Sequence, residues 1–77
     1  MGLNSEIDIT LKDLLLKRYE NSDLDNYDKL AMQETEYLVL AKNIDDWMNE
    51  PANFKHQVAL LPSSKYVLTQ CGIDINE

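Results

Sequence analysis

Apolar side chains recur at helical spacing along most of this chain, with polar ones filling the positions between. In ITLKDLLLKRYE, Leu11, Leu14, Leu15 and Arg18 form one stripe, widened by Leu16 and Tyr19; residues three and four apart share a helix face. Thr10 suits the N-cap and Asp13 the positive end of the helix dipole, while Lys17 and Arg18 suit the negative end. Ile9 and Leu14 are spaced for a hydrophobic staple around that cap. The expectation is a helix over about 10–20, preceded by a short, polar, flexible lead-in at residues 1–8.

From Leu24 onward apolar residues at 24, 27, 30, 31, 37, 38, 41, 44, 47 and 48 set the pattern. This is a helical period, interrupted where Glu34 stands. Ser22 or Asp23 would cap it, and Pro51 would close it, because the residue before a proline is pushed out of helical geometry. One long helix over about 24–49 satisfies the pattern, as do two shorter ones meeting near QETE. Thr35, Tyr37 and Val39 favour strands, so the alternative is α+β with a short strand near residues 35–41. After Pro51, ANFKHQVALL reads as a turn or two of helix with Phe54, Val58 and Leu61 on one side, stopped by Pro62. SSKYVLTQCG reads as a last helix capped by Ser63 or Ser64, with Tyr66, Val67 and Cys71 inward. Gly72 supplies its left-handed stop and Ile73 the Schellman contact. The fold expected is all-α, a compact bundle of about four helices in a single domain over 9–77.

Length sharpens this picture. A chain of 77 residues buries only about 60–65% of the surface its unfolded form exposes, so its core is marginal. The single cysteine, Cys71, has no partner for an internal disulfide. Either the apolar residues pack efficiently, or a partner or a second copy covers part of them. An unpaired cysteine suits a reducing compartment, and cytoplasmic is the expected location. No apolar run approaches the roughly 20 residues of a membrane-spanning helix. The N-terminus lacks the basic-then-apolar pattern of a secretory signal.

The charge is −7, and its placement matters more than its size. Residues 1–50 hold twelve acids and five bases, whereas residues 51–77 hold two of each. Between 19 and 50, nine acids face two bases. Such a surface repels phosphate backbones and anionic lipids and attracts basic proteins. Direct nucleic-acid binding is not expected, since that affinity is built largely from Lys and Arg.

Candidate chemistry is thin. With Asp23 at position 1 of an EF-hand frame, Asp25 and Glu34 fall on ligand positions 3 and 12. Tyr27 then occupies position 5 and Asp28 the position of the obligatory glycine, so the frame fails. Cys71 with His56 would be a nucleophile pair, but Cys71 sits in an apolar stretch beside a helix C-terminus, a setting that does not favour a thiolate. One His and one Cys are too few for zinc, Asp45 and Asp46 diverge as helix neighbours, and a phosphate-cradling loop needs more glycine than Gly2 and Gly72. No catalytic, cofactor or metal site is expected, and the protein is not read as an enzyme.

What remains is binding. Asp23, Asp25, Asp28, Glu34, Glu36, Asp45 and Asp46 make up an acidic helical face suited to a basic protein surface. Trp47 and Phe54, flanking Pro51, are candidates for an apolar anchor or for the core of that turn. In size and charge alone, the chain resembles small phage or plasmid proteins that block nucleic-acid-processing enzymes, which implies an inhibitor or regulator acting as a nucleic-acid mimic. The alternative is an accessory subunit or homodimeric adaptor whose acidity serves solubility. A third reading, a helix-turn-helix regulator, has only Lys12, Lys17 and Arg18 as a basic cluster.

Overall fold

In the computed structural model, which describes residues 4–75, the first helix begins five residues before the expected start. α1 runs Ser5–Tyr19, with Asn4 as its N-cap. The Asn4 side chain accepts the Ile7 N–H at 2.9 Å, satisfying one of the amides that lack an intrahelical partner. Glu6 and Asp8 occupy the first turn and Lys17 and Arg18 the last, which complements the dipole at both ends. The lead-in reading is therefore corrected: residues 5–8 are helical, and Met1, Gly2 and Leu3 lie outside the described residues. Ile7, Leu11 and Leu15 form the buried stripe. Thr10 is an interior helix residue, and Ile9 is 66% exposed, so no staple forms around it.

α2 is one continuous helix, Asn26–Met48, about 34 Å long at 1.5 Å per residue. Its cap is Asp25, whose carboxylate accepts the Asp28 N–H at 2.8 Å. Ser22 instead accepts the Leu24 N–H within the preceding turn, and Asp23 caps nothing. Residues 35–41 are helical, so the strand alternative is set aside. Strand propensity yields here because helical geometry carries Tyr37, Leu40, Ile44 and Trp47 onto one face against the other helices. Thr35 turns its hydroxyl back onto the Ala31 carbonyl at 2.9 Å.

The expected single apolar face of α2 is divided in two. Leu40, Ile44 and Trp47 are buried, yet no residue from 26 to 39 is. The positions that continue the buried stripe toward the N-terminus are Gln33, Glu36 and Lys29, all polar and half-buried. Leu30 and Tyr27 lie about 80–140° further round the axis from Leu40, and they face outward.

After Pro51 a short 3-10 helix, Ala52–Gln57, leads to α3, Pro62–Gln70. Pro62 opens α3 and does not stop what precedes it; its fixed φ suits the first helical position. Neither Ser63 nor Ser64 caps this helix, for Leu61 holds the cap position. The approach is fixed from α2, where Asn43 donates to the Ala59 carbonyl at 2.9 Å and accepts the Leu61 N–H at 3.0 Å. Gly72, at φ +77°, ends α3 as expected. Its N–H bonds to the Thr69 carbonyl and the Ile73 N–H to that of Leu68, both at 3.0 Å, completing a Schellman motif. Val67 and Leu68 are buried, Cys71 is half-buried, and Tyr66 is 51% exposed and points away from the core.

Three α-helices and one 3-10 helix thus make up the described residues, an all-α bundle. Its core is Ile7, Leu11, Leu15, Leu40, Ile44, Trp47, Val67 and Leu68. The molecule measures 44 × 20 × 19 Å, elongated along a helix whose first half contributes no buried residue.

Candidate partner-binding surface

The seven acids of the expected face do different things once folded. Glu36 points into the α1–α2 contact, where Arg18 and Tyr19 both donate to its carboxylate. Asp25 is the cap of α2, and Asp46 pairs with Lys42 one turn back at 3.2 Å. The carboxylates of Asp23, Asp28, Glu34 and Asp45 have no ion-pair or hydrogen-bond partner among the described residues. These four do not form a single row: Asp28 and Glu34 are about 120° apart around the α2 axis. A regular line of negative charge is therefore absent from this helix.

Two hydrogen bonds shape the adjoining electrostatics. Tyr37 donates to Asp8 at 2.5 Å, and Lys12 reaches the same carboxylate at 3.0 Å. The Tyr37 hydroxyl first, and Lys12 second, hold the Asp8 carboxyl below its ordinary 3.8. In return Asp8, helped by partial burial, raises the Tyr37 phenol. Tyr19 is raised likewise, chiefly by its hydrogen bond to Glu36. Every base of α1 is engaged: Lys12 by Asp8, Lys17 by Asp13 and Arg18 by Glu36.

Between α1 and the N-terminal half of α2 runs a shallow, mostly apolar groove of about 360 Å³, lined by Lys12, Leu15, Leu30, Gln33, Glu34 and Tyr37. Leu15, only 2% exposed, forms its floor. Tyr37 forms a wall, with the Lys12 ammonium 5.6 Å from its ring centre. Leu30, on its wall, is 67% exposed, and further round α2, outside the groove, Tyr27 and Leu38 are 80% and 62% exposed. Sequence reasoning counted all three as inward-facing and so missed them. The available signal was the polar run Lys29, Gln33, Glu36, which is in phase with Leu40, Ile44 and Trp47 and takes the place nearest the core.

Trp47 and Phe54 separate. Trp47 is buried, with the Lys55 ammonium 4.1 Å above its ring; Phe54 is exposed and outside the core cluster. Trp47 stands about 25 Å along α2 from Leu30, so it anchors the 52–60 segment and is not part of the groove. A second cavity of about 270 Å³ lies beside it, with Lys55, His56 and Lys65 among its walls.

The residues weighed for chemistry also settle into structural places. Residues 26–34 of the EF-hand frame are helical, and no three His, Cys, Asp or Glu side chains among the described residues gather at a metal position. The Cys71 thiol lies 3.5 Å from the Thr10 hydroxyl and 3.7 Å from the Glu6 carbonyl; His56 is not a partner. No helix of the described residues is long and apolar enough to cross a membrane. Set beside known proteins, the chain matches no family model, and no curated protein or solved structure matches it significantly.

Proposed function

We propose that this protein is a small acidic protein-binding module that docks the exposed half of α2 onto a basic surface of another protein. It would act there as an inhibitor or regulator, with a nucleic-acid-processing protein as the partner class. One observation carries the reading. Over residues 26–39 large apolar side chains and unpartnered carboxylates are exposed together on a stretch of helix in which no residue is buried. Exposed apolar area mixed with one sign of charge is the composition of a docking surface. The engagement of Asp25, Glu36 and Asp46 shifts the emphasis from a phosphate-like row to a mixed apolar and acidic contact. Cys71, left as a free thiol, suits a cytoplasmic setting for that encounter.

The test is capture from the native host followed by salt titration. A basic protein retained at low ionic strength and released at moderate salt supports the reading. Its loss from a combined Asp23→Asn, Asp28→Asn and Glu34→Gln variant would support it further; equal retention by both forms overturns it.

A second reading, a subunit of a larger assembly, draws on Ile9, Leu16 and Tyr66, which are also more than half exposed on other faces. Sedimentation of the isolated chain as a stable oligomer would favour it. The DNA-binding reading has little to draw on, because all three bases of α1 are already paired within the fold.

A further inference from the structure

We infer that the groove between α1 and α2 receives an amphipathic helix from the partner, with a leucine-like apolar face and lysine or arginine along its borders. This rests on the reading above and specifies the ligand of the same surface.

The shape comes from α2. Leu30, Gln33, Glu34 and Tyr37, at i, i+3, i+4 and i+7, line the groove within an arc of about 100° on the helix, over about 10 Å, or two turns. An amphipathic helix laid into a groove uses anchors at i, i+3, i+4 and i+7, a repeat of this length. Leu15 offers the apolar floor, and Leu30 with the Tyr37 ring the apolar part of the α2 wall.

Charge decides among the possible occupants. Glu34 stands on the groove wall, and Asp45 lies about 16 Å further along α2 and about 20° round from it; neither has an ion-pair partner among the described residues. The one base on the groove wall, Lys12, is held by Asp8 at 3.0 Å. A second copy laid along this face would bring further unpaired carboxylates against Glu34, and close like charges oppose association. An acidic helix would meet the same penalty. A basic amphipathic helix gains apolar contact and neutralises Glu34 in one placement.

The experiment uses the full chain and three synthetic peptides of 18 residues. One is a Leu/Lys sequence with leucines at i, i+3, i+4 and i+7; the second is its Leu/Glu counterpart; the third has the Leu/Lys composition in scrambled order. Titrations are followed by amide chemical shifts and calorimetry. The expected result is that only the ordered Leu/Lys peptide binds well, shifting Leu15, Leu30, Gln33, Glu34 and Tyr37. Leu30→Ser, on an exposed groove side chain, should weaken it roughly tenfold, whereas Leu38→Ser, outside the lining, should weaken it far less. Glu34→Lys, which removes no packing, should also weaken it and should admit the Leu/Glu peptide.

If both lysine peptides bind alike, with shifts spread over all the acids, the groove assignment is wrong while the basic-partner reading stands. If no lysine peptide binds, or the Leu/Glu peptide binds as well, both fall. A wild-type dimer that Leu30→Ser and Leu38→Ser turn into a monomer assigns the face to self-association and overturns the proposal.

Discussion

Arg18 on α1 and Glu36 on α2 form an ion pair across the helix contact, and the same carboxylate accepts the Tyr19 hydroxyl at 2.5 Å. An acid that looks like surface charge in the sequence is therefore a strut. Glu36→Gln should lower stability by about 1 kcal/mol, a modest figure because both side chains are about a third exposed. Thermal melting would show this as a drop of several degrees. Glu34→Gln should leave the melt unchanged and weaken partner capture. Equal effects of the two substitutions on melting would contradict this division of roles.

Ser64 is fully buried, and its hydroxyl has no hydrogen-bond partner among the described residues. An unsatisfied buried hydroxyl costs more than an apolar group of similar size, and alanine is the better helix former. Ser64→Ala is expected to raise stability by about 1 kcal/mol, read as a higher urea midpoint with an unchanged slope. A lower midpoint would mean the hydroxyl has a partner after all.

Asp8 and Tyr37 make stability depend on pH at both extremes. The Asp8 pKa is depressed in the fold, so its contribution is complete above its ordinary 3.8 and lost as pH falls through the lower folded value. The Tyr37 pKa is raised above 10.0, so the neutral phenol contributes below pH 10.0, and that contribution is lost as pH rises through the folded value. Tyr37→Phe should remove a late step from the phenolate absorbance titration. It should also shallow the acid limb of the stability profile without abolishing it, because Lys12 still holds Asp8.

Asn43 uses both ends of its amide, one on Ala59 and one on Leu61. Asn43→Ala should cost about 1–2 kcal/mol and speed hydrogen exchange at the Leu61 amide. Asn43→Asp keeps the acceptor and loses the donor, so the Leu61 amide should remain protected. Protection of that amide in both variants would show that something other than the side chain holds the segment.

The helices were legible in sequence wherever a local signal and the tertiary contact agreed. Gly72 and Ile73 specify the end of α3 through backbone chemistry that needs no distant partner, and the structure forms the motif they imply. The start of α1 was harder, since Ile7 and Ile9 alternate with polar residues and only the approach of the other helices selects Ile7 for burial. Pro62 stops one segment or opens the next according to where the chain is heading, which Asn43 helps to fix from eighteen residues away. The candidate surface was half legible. The acids were visible as residue types, but which of them α1 would engage depended on where Arg18, Tyr19 and Lys12 came to lie. Helical periodicity alone marked a stripe as apolar without saying which apolar stripe would be buried.

Trp47 is the only tryptophan in the chain. It is 6% exposed under the Lys55 ammonium, about 25 Å along α2 from Leu30. Its emission is thus a gauge of whether the 52–60 segment remains seated, and it is optically remote from the groove. Titrating a ligand should leave the indole signal nearly flat even at saturation, whereas denaturant should move it strongly. Folding and occupancy can then be followed in one cuvette without interference: the indole for the first, a dye or a spin label near Tyr27 for the second.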